Sequence, residues 1–161
     1  MSSKHKNKRN DDGFCREIEM MKDLEKAKEL LLSGAYTCVL CRDKEIVTSR
    51  LRGVKPLVAW YETKQNLNGY SAADKVVGKA TAFLYVLLEV KAVYAGVISR
   101  SAFQVLDKYN VKIKYGELVD NIINRQGDGI CPFESAVLGI ENPTTAYEAI
   151  LKKMREMNIT I

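Results

Sequence analysis

The stretch from Ser71 to Leu88 constrains the fold more than any other part of the chain. Val76, Val77, Ala80, Ala82, Phe83, Leu84, Val86 and Leu87 would fall on nearly every side of a helix. A helix apolar all round cannot lie on a surface and has to be sandwiched at the centre of a domain. Gly78 and the alanines would let a sheet approach it closely. Asp74 sits early in this expected helix, where a carboxylate interacts favourably with the N-terminal dipole. With Ser71 three residues before it, it forms a Ser-x-x-Asp capping pattern, a sufficient structural role. A catalytic acid is the competing role, but no metal ligand lies nearby to activate a water for it.

The flanking sequence supplies the layers. Ile18, Met21, Leu24, Ala27, Leu30 and Leu31 recur at helical spacing and predict a helix over 16–33. Tyr36–Leu40 and Ile46–Ser49 read as short strands joined by Arg42-Asp43-Lys44, a hairpin. Lys55-Pro56 opens a helix, proline being tolerated in a first turn, with Leu57, Trp60 and Tyr61 as its buried stripe. Val90–Ile98 is a strand, Ala102–Tyr109 a helix, Val111–Tyr115 a strand and Glu117–Asn124 a helix. The loop Arg125–Gly129 follows, then helices over 132–138 and 144–157. An antiparallel hairpin followed by a parallel βαβ passage predicts a three-layer α/β/α domain on a mixed sheet of four or five strands.

One domain suits 161 residues, 47% of them apolar. The apolar-rich run Ala80–Val90 is too short for a membrane span and is bounded by Glu89 and Lys91. The first residues lack the apolar core of a signal peptide, so a cytoplasmic location is expected. Net charge is +5, of which Lys4, Lys6, Lys8 and Arg9 against Asp11 and Asp12 give +2. Residues 1–15 read as a basic, disordered tail and 16–161 as the domain. A surplus this diffuse does not point to nucleic acid. Cys15, Cys38, Cys41 and Cys131 read as free thiols.

Several constellations could carry chemistry. Cys38 and Cys41 have metal-motif spacing, but they lie within a strand, where residues three apart face opposite ways. No second pair completes a zinc site, so they read as buried structural thiols. Cys131 follows the glycine-rich segment 125–130 and precedes Pro132, which puts it at a helix N-cap, where a thiol can be activated; a capped helix after a glycine turn explains the segment without chemistry. Glu134, three residues on, would bond back to that cap. A cysteine-protease reading fails because His5, the sole histidine, lies in the tail. Ser99-Arg100-Ser101 opens a helix after a strand and could hold an anion; an ordinary serine N-cap explains it equally. Arg50, Arg52 and Lys55 gather cations around Gly53 and could clamp a phosphate or carboxylate.

Arg52–Leu57, Ser71–Ala80 and Gly127–Glu134 together resemble the signature segments of a family of small prokaryotic proteins of unknown function within the cytidine-deaminase-like superfamily. The resemblance runs from about residue 21 to the C-terminus. It implies a cytidine-deaminase-like fold. It makes Asp74 the counterpart of the deaminase glutamate and Ala72 that of the first zinc ligand. Ser99 and Ala102 then stand where the two cysteines belong. All three zinc donors are missing on this correspondence, so neither zinc, nor zinc-dependent deamination, nor any other cofactor is expected.

The expected function is binding of a nucleoside- or nucleotide-like ligand by Arg52, Lys55, Ser71, Asp74, Lys75, Ser99, Arg125, Cys131 and Glu134. Two other classes compete with it: a metal-independent enzyme acting through Cys131 or Asp74, and a structural or interaction module, dimeric through its apolar surface.

Overall fold

The computed structural model describes the backbone from Asn7 to Ile161 and the side chains from Gly13 onward. Eleven elements follow in order: α1 (Asn7–Ser33), β1 (Cys38–Arg42), β2 (Glu45–Ser49), α2 (Lys55–Glu62), β3 (Ser71–Val77), α3 (Lys79–Leu87), β4 (Ala92–Ser99), α4 (Arg100–Lys108), β5 (Lys112–Val119), α5 (Pro132–Ala136) and α6 (Pro143–Glu156). The five strands form one sheet in the order β2-β1-β3-β4-β5. β1 pairs antiparallel with β2 and β3, while β3, β4 and β5 run parallel. Residues 7–15 belong to α1; the rest of the expected tail, residues 1–6, lies outside the described residues.

The layers are those the sequence implies. Leu24, Ala27 and Leu31 of α1 cover Val39, Cys41, Ala73, Ala92 and Tyr94 on one face. On the other face α2, α3, α4 and α6 contribute Leu57, Phe83, Leu106 and Ile150 to a larger core. Chain advance from β3 to β4 to β5 in one direction puts both crossover helices on one face, as right-handed connections require. Burying a side chain such as Leu24 or Leu31 stabilises by roughly 1.5–3 kcal/mol. In the helix before β3, Leu57 is fully buried, Trp60 half-buried, and Tyr61 lies at the surface, edge-on to Tyr147.

The central helix is the main correction. Ser71–Val77 is not helical; it is β3, paired on both edges with β1 and β4. Only Lys79–Leu87 forms the buried helix, with Gly78 as its extended N-cap. A strand covered on both faces loses the period-2 alternation that separates strand from helix in a sequence. A second correction concerns Glu117–Asn124: β5 continues to Val119, and an irregular segment replaces the expected helix. The first strand begins at Cys38 rather than Tyr36 and runs on to Arg42.

The three parallel strands share a further irregularity. Ala72 and Val77 of β3, Val93 and Ile98 of β4, and Ile113 and Leu118 of β5 all face the larger core. Residues five apart cannot share a face under strict alternation. The switch falls at Lys75, Gly96 and Gly116, which the paired registers skip. The strands approach so closely there that a Cβ on Gly96 would lie 2.7 Å from the Lys75 carbonyl oxygen, and one on Gly116 2.8 Å from that of Gly96.

Candidate functional site

The carboxyl ends of β3, β4 and β5, with the N-termini of α3 and α4, form one edge of the domain. Crevices of this kind hold ligands in open α/β sheets. Ser99 ends β4 and caps α4, its hydroxyl accepting from the Ala102 amide at 3.3 Å. Gly78 leads into α3, whose first amide belongs to Lys79. Both helix ends turn towards the carboxylate of Glu134, buried at 3% exposure. Its Oε1 accepts from the Lys79 amide at 3.1 Å, from the Ser101 hydroxyl at 3.2 Å and from the Ser99 hydroxyl in a short bond. Its Oε2 accepts from the Ile122 amide in another short bond. Glu134 therefore does not cap its own helix: the Cys131 amide donates to the Ile122 carbonyl instead, at 2.8 Å. A carboxylate with this many donors is held where two helix dipoles favour negative charge.

Cations rim this edge. The Thr37 carbonyl accepts from the Lys75 amide, and its hydroxyl donates to Leu51 and Ser49 carbonyls, so the 50–55 segment lies beside the end of β3. Arg52 and Lys75 are exposed, Lys55 is half-buried, and the Lys79 ammonium sits 5.8 Å from the Phe83 ring centre. Among the described residues none of these four forms an ion pair, whereas Arg100 bonds Asp120 at 2.7 Å. Arg125 is exposed in the segment after β5.

Asp74 lies elsewhere. It is a strand residue, so it does not occupy the helical position of a deaminase glutamate, and Ser71–Asp74 is no capping pair. Its Oδ2 accepts from the Tyr85 hydroxyl at 2.7 Å, and that hydroxyl touches Cys38 Sγ at 3.0 Å. Its Oδ1 accepts from the Val76 amide at 3.3 Å, bracing the strand at the face switch. Burial pushes the Asp74 carboxyl up from 3.8 to about 7, against the opposing pull of these hydrogen bonds. Burial, then the charge of Asp74, raises the Cys38 thiol well above its ordinary value. Nothing in the local sequence announced Tyr85 as a partner.

The expected residues thus separate. Ser99 and Glu134 meet, with Lys75, Arg52 and Lys55 on the same edge. Ser71 bonds the Met20 carbonyl of α1 at 3.1 Å, on the sheet face away from Asp74. Cys131 is half-buried at the start of a five-residue helix, and its side chain makes no capping bond. Cys38 and Cys41 are buried in the cores on opposite faces of the sheet, as their spacing demands. Among the described residues no three His, Cys, Asp or Glu side chains gather to hold a metal ion. Sequence reasoning missed Lys79 and the Ile122 amide, whose roles depend on partners 55 and 12 residues away.

Two surface grooves, of about 560 and 390 Å³, lie at the opposite, amino edge. The first is lined by Tyr61, Glu62, Glu89 and Tyr147, the second by Arg16, Arg42, Asp23 and Lys91, among others. Some of their polar groups are engaged: Tyr147 bonds Glu62, Arg42 bonds the Asn68 carbonyl, and Asp23 bonds the Asp43 amide. The carboxyl edge, where two helix N-termini converge on one carboxylate, is the stronger candidate despite being less hollow.

Fold and edge together define a three-layer α/β/α domain whose parallel strands end at a single buried carboxylate, held between two helix N-termini and rimmed by cations. The chain belongs to the DUF1893 family, a domain of unknown function, whose model matches residues 26–154. It is also similar to the crystal structure of a DUF1893 family protein from Thermotoga maritima, with a TM-score of 0.75 and 26% identity over 82% of this chain and 90% of that one. No curated protein matches the chain. No helix among the described residues is long and apolar enough to cross a membrane.

Proposed function

We propose that the protein is a deaminase-like domain without a zinc site that binds a nucleoside- or nucleotide-like ligand at the carboxyl edge of β3 and β4. The observation that carries this reading is the convergence of two helix N-termini and unpaired cations on a slot filled by the chain's own carboxylate, Glu134. A slot that accommodates one anion suits a ligand's phosphate in place of the Glu134 carboxylate, and Lys75, Arg52 and Lys55 would attract it. The phosphate-bearing member of the ligand class is therefore favoured. The mixed sheet and helical layers agree with the deaminase-like relation, which Asp74 no longer supports. Asp74 is sealed against Tyr85, and the Cys131 side chain has no hydrogen-bond partner among the described residues, which leaves the enzymatic alternative without a paired nucleophile and base.

Thermal unfolding of the full chain with nucleosides, nucleoside monophosphates and inorganic phosphate tests the proposal. Stabilisation by monophosphates, with amide shifts at Lys79, Ser101 and Ile122, is expected. No stabilisation by any compound, or shifts confined to the amino-edge grooves, would refute it. A module that binds no small molecule is then the remaining reading, and the full satisfaction of Glu134 by internal donors favours that one.

A further inference from the structure

The segment 120–131 folds largely on itself. The Asn124 amide donates to the Gly129 carbonyl at 2.8 Å, the Gly127 amide to the Asn124 carbonyl at 3.1 Å, and the Cys131 amide to the Ile122 carbonyl at 2.8 Å. The Asn124 side chain donates to Asp128 at 2.8 Å and accepts from its amide at 3.2 Å. Ile123 and Ile130 pair in an isolated bridge yet stay 55% and 43% exposed, so neither anchors the segment in a core. Its ties to the body are few. Asp120 meets Arg100 in an exposed ion pair. Ile122 packs over Gly78, its Cγ1 3.3 Å from where a Cβ there would stand. Cys131, at its far end, packs half-buried against the larger core. The remaining tie is the part-buried bond from the Ile122 amide to Glu134, whose other oxygen holds Lys79, Ser99 and Ser101.

We propose that segment 120–131 is a strap latched by Glu134, opening as a unit while the sheet stays folded and uncovering Gly78 and the Glu134 carboxylate. Glu134 joins three pieces of chain distant in sequence, so one side chain controls whether the start of the strap is held against the helix ends. A strap with internal hydrogen bonds and little buried apolar surface opens at lower free energy than the sheet. The inference rests on the proposed function only for what the open edge would admit; the latch is a property of the chain alone.

Hydrogen exchange on the ligand-free full chain tests it, using Glu134→Gln. The glutamine has one acceptor oxygen, and three donors compete for it on the α3–α4 side. Its amide nitrogen then faces the Ile122 amide, two donors without an acceptor between them. Exchange at Ile122, Asn124, Gly127 and Cys131 should accelerate about tenfold or more, with β3 and β4 unchanged. Arg100→Ala, which removes only an exposed ion pair, should leave strap exchange nearly as in the native chain. Strap exchange unchanged in Glu134→Gln, or acceleration in β4 by the same factor, overturns the latch. So does an Arg100→Ala chain whose strap opens as readily as that of Glu134→Gln. Should Glu134→Gln not fold, the native chain in low urea decides: strap amides opening together below the β4 amides support the latch, and opening only with β4 overturns it. A strap that opens while no nucleotide stabilises the protein sinks the ligand reading and leaves the latch standing.

Discussion

Replacing Asp74 by asparagine should remove a loss of stability that the native chain suffers as pH rises, so that the order of stability of the two proteins reverses with pH. The Asp74 carboxyl rises from 3.8 to about 7, chiefly because burial penalises its charge. At ~1.4 kcal/mol per unit, this separates the two protonation states by roughly 4 kcal/mol. Because the folded value lies above the unfolded one, the stabilising contribution is complete below the unfolded value and is lost as pH rises through about 7. Between about pH 5 and about pH 8 the native chain should lose roughly 2.5 kcal/mol from this group alone. Asparagine does not titrate. Its oxygen can accept from the Val76 amide while its nitrogen donates to the Tyr85 hydroxyl, which can turn its own proton to Cys38 Sγ, 3.0 Å away. That rearrangement should cost about 1 kcal/mol at acid pH. The curves should therefore cross, with Asp74→Asn less stable near pH 5 and more stable near pH 8.

Urea titrations followed by Trp60, the chain's one tryptophan, measure this directly. Asp23, whose carboxyl is also raised by burial, is present in both proteins and cancels in the difference. Stability differences that stay constant with pH, within about 0.5 kcal/mol, would show that Asp74 is not desolvated as its burial implies.

Gly96→Ala should destabilise the fold by about 2 kcal/mol or more in the same denaturation assay, because the Lys75 carbonyl oxygen 2.7 Å away belongs to a strand paired on both sides. Gly116→Ala should cost less, since the edge strand β5 can move outward; equal costs would argue that the strands part freely at the face switch. Thiol labelling of the native protein should modify exposed Cys15 first and leave buried Cys38 and Cys41 untouched until unfolding. A Cys131 that reacts faster than Cys15 would revive the nucleophile alternative.

Much of this fold was legible because local pattern and tertiary role agree. The hairpin, the parallel passage, the opposite-facing Cys38 and Cys41 and the Ser99 cap all follow from spacing alone. β3 was not, for two reasons: both its faces are covered, and the switch at Lys75 breaks whatever alternation remained. Segment 117–124 misled by the opposite route, since Leu118, Val119, Ile122 and Ile123 have helical spacing although a strand ends among them. The two carboxylates fail together and for one cause. Ser71–Asp74 and Cys131–Glu134 both have the three-residue spacing of a cap, and neither acid caps its neighbour. Each is buried, and a buried carboxylate must find donors or shed its charge. Glu134 finds donors up to 55 residues away, and Asp74, paired with no described cation, is left with a raised pKa. Cap spacing holds where the helix start is near solvent and local donors are the available partners, as at Asn142, whose side chain accepts from the Thr144 and Thr145 amides. Where the same spacing falls on a carboxylate the core will enclose, the long-range partner wins, because leaving a buried charge unpaired costs more than any cap returns.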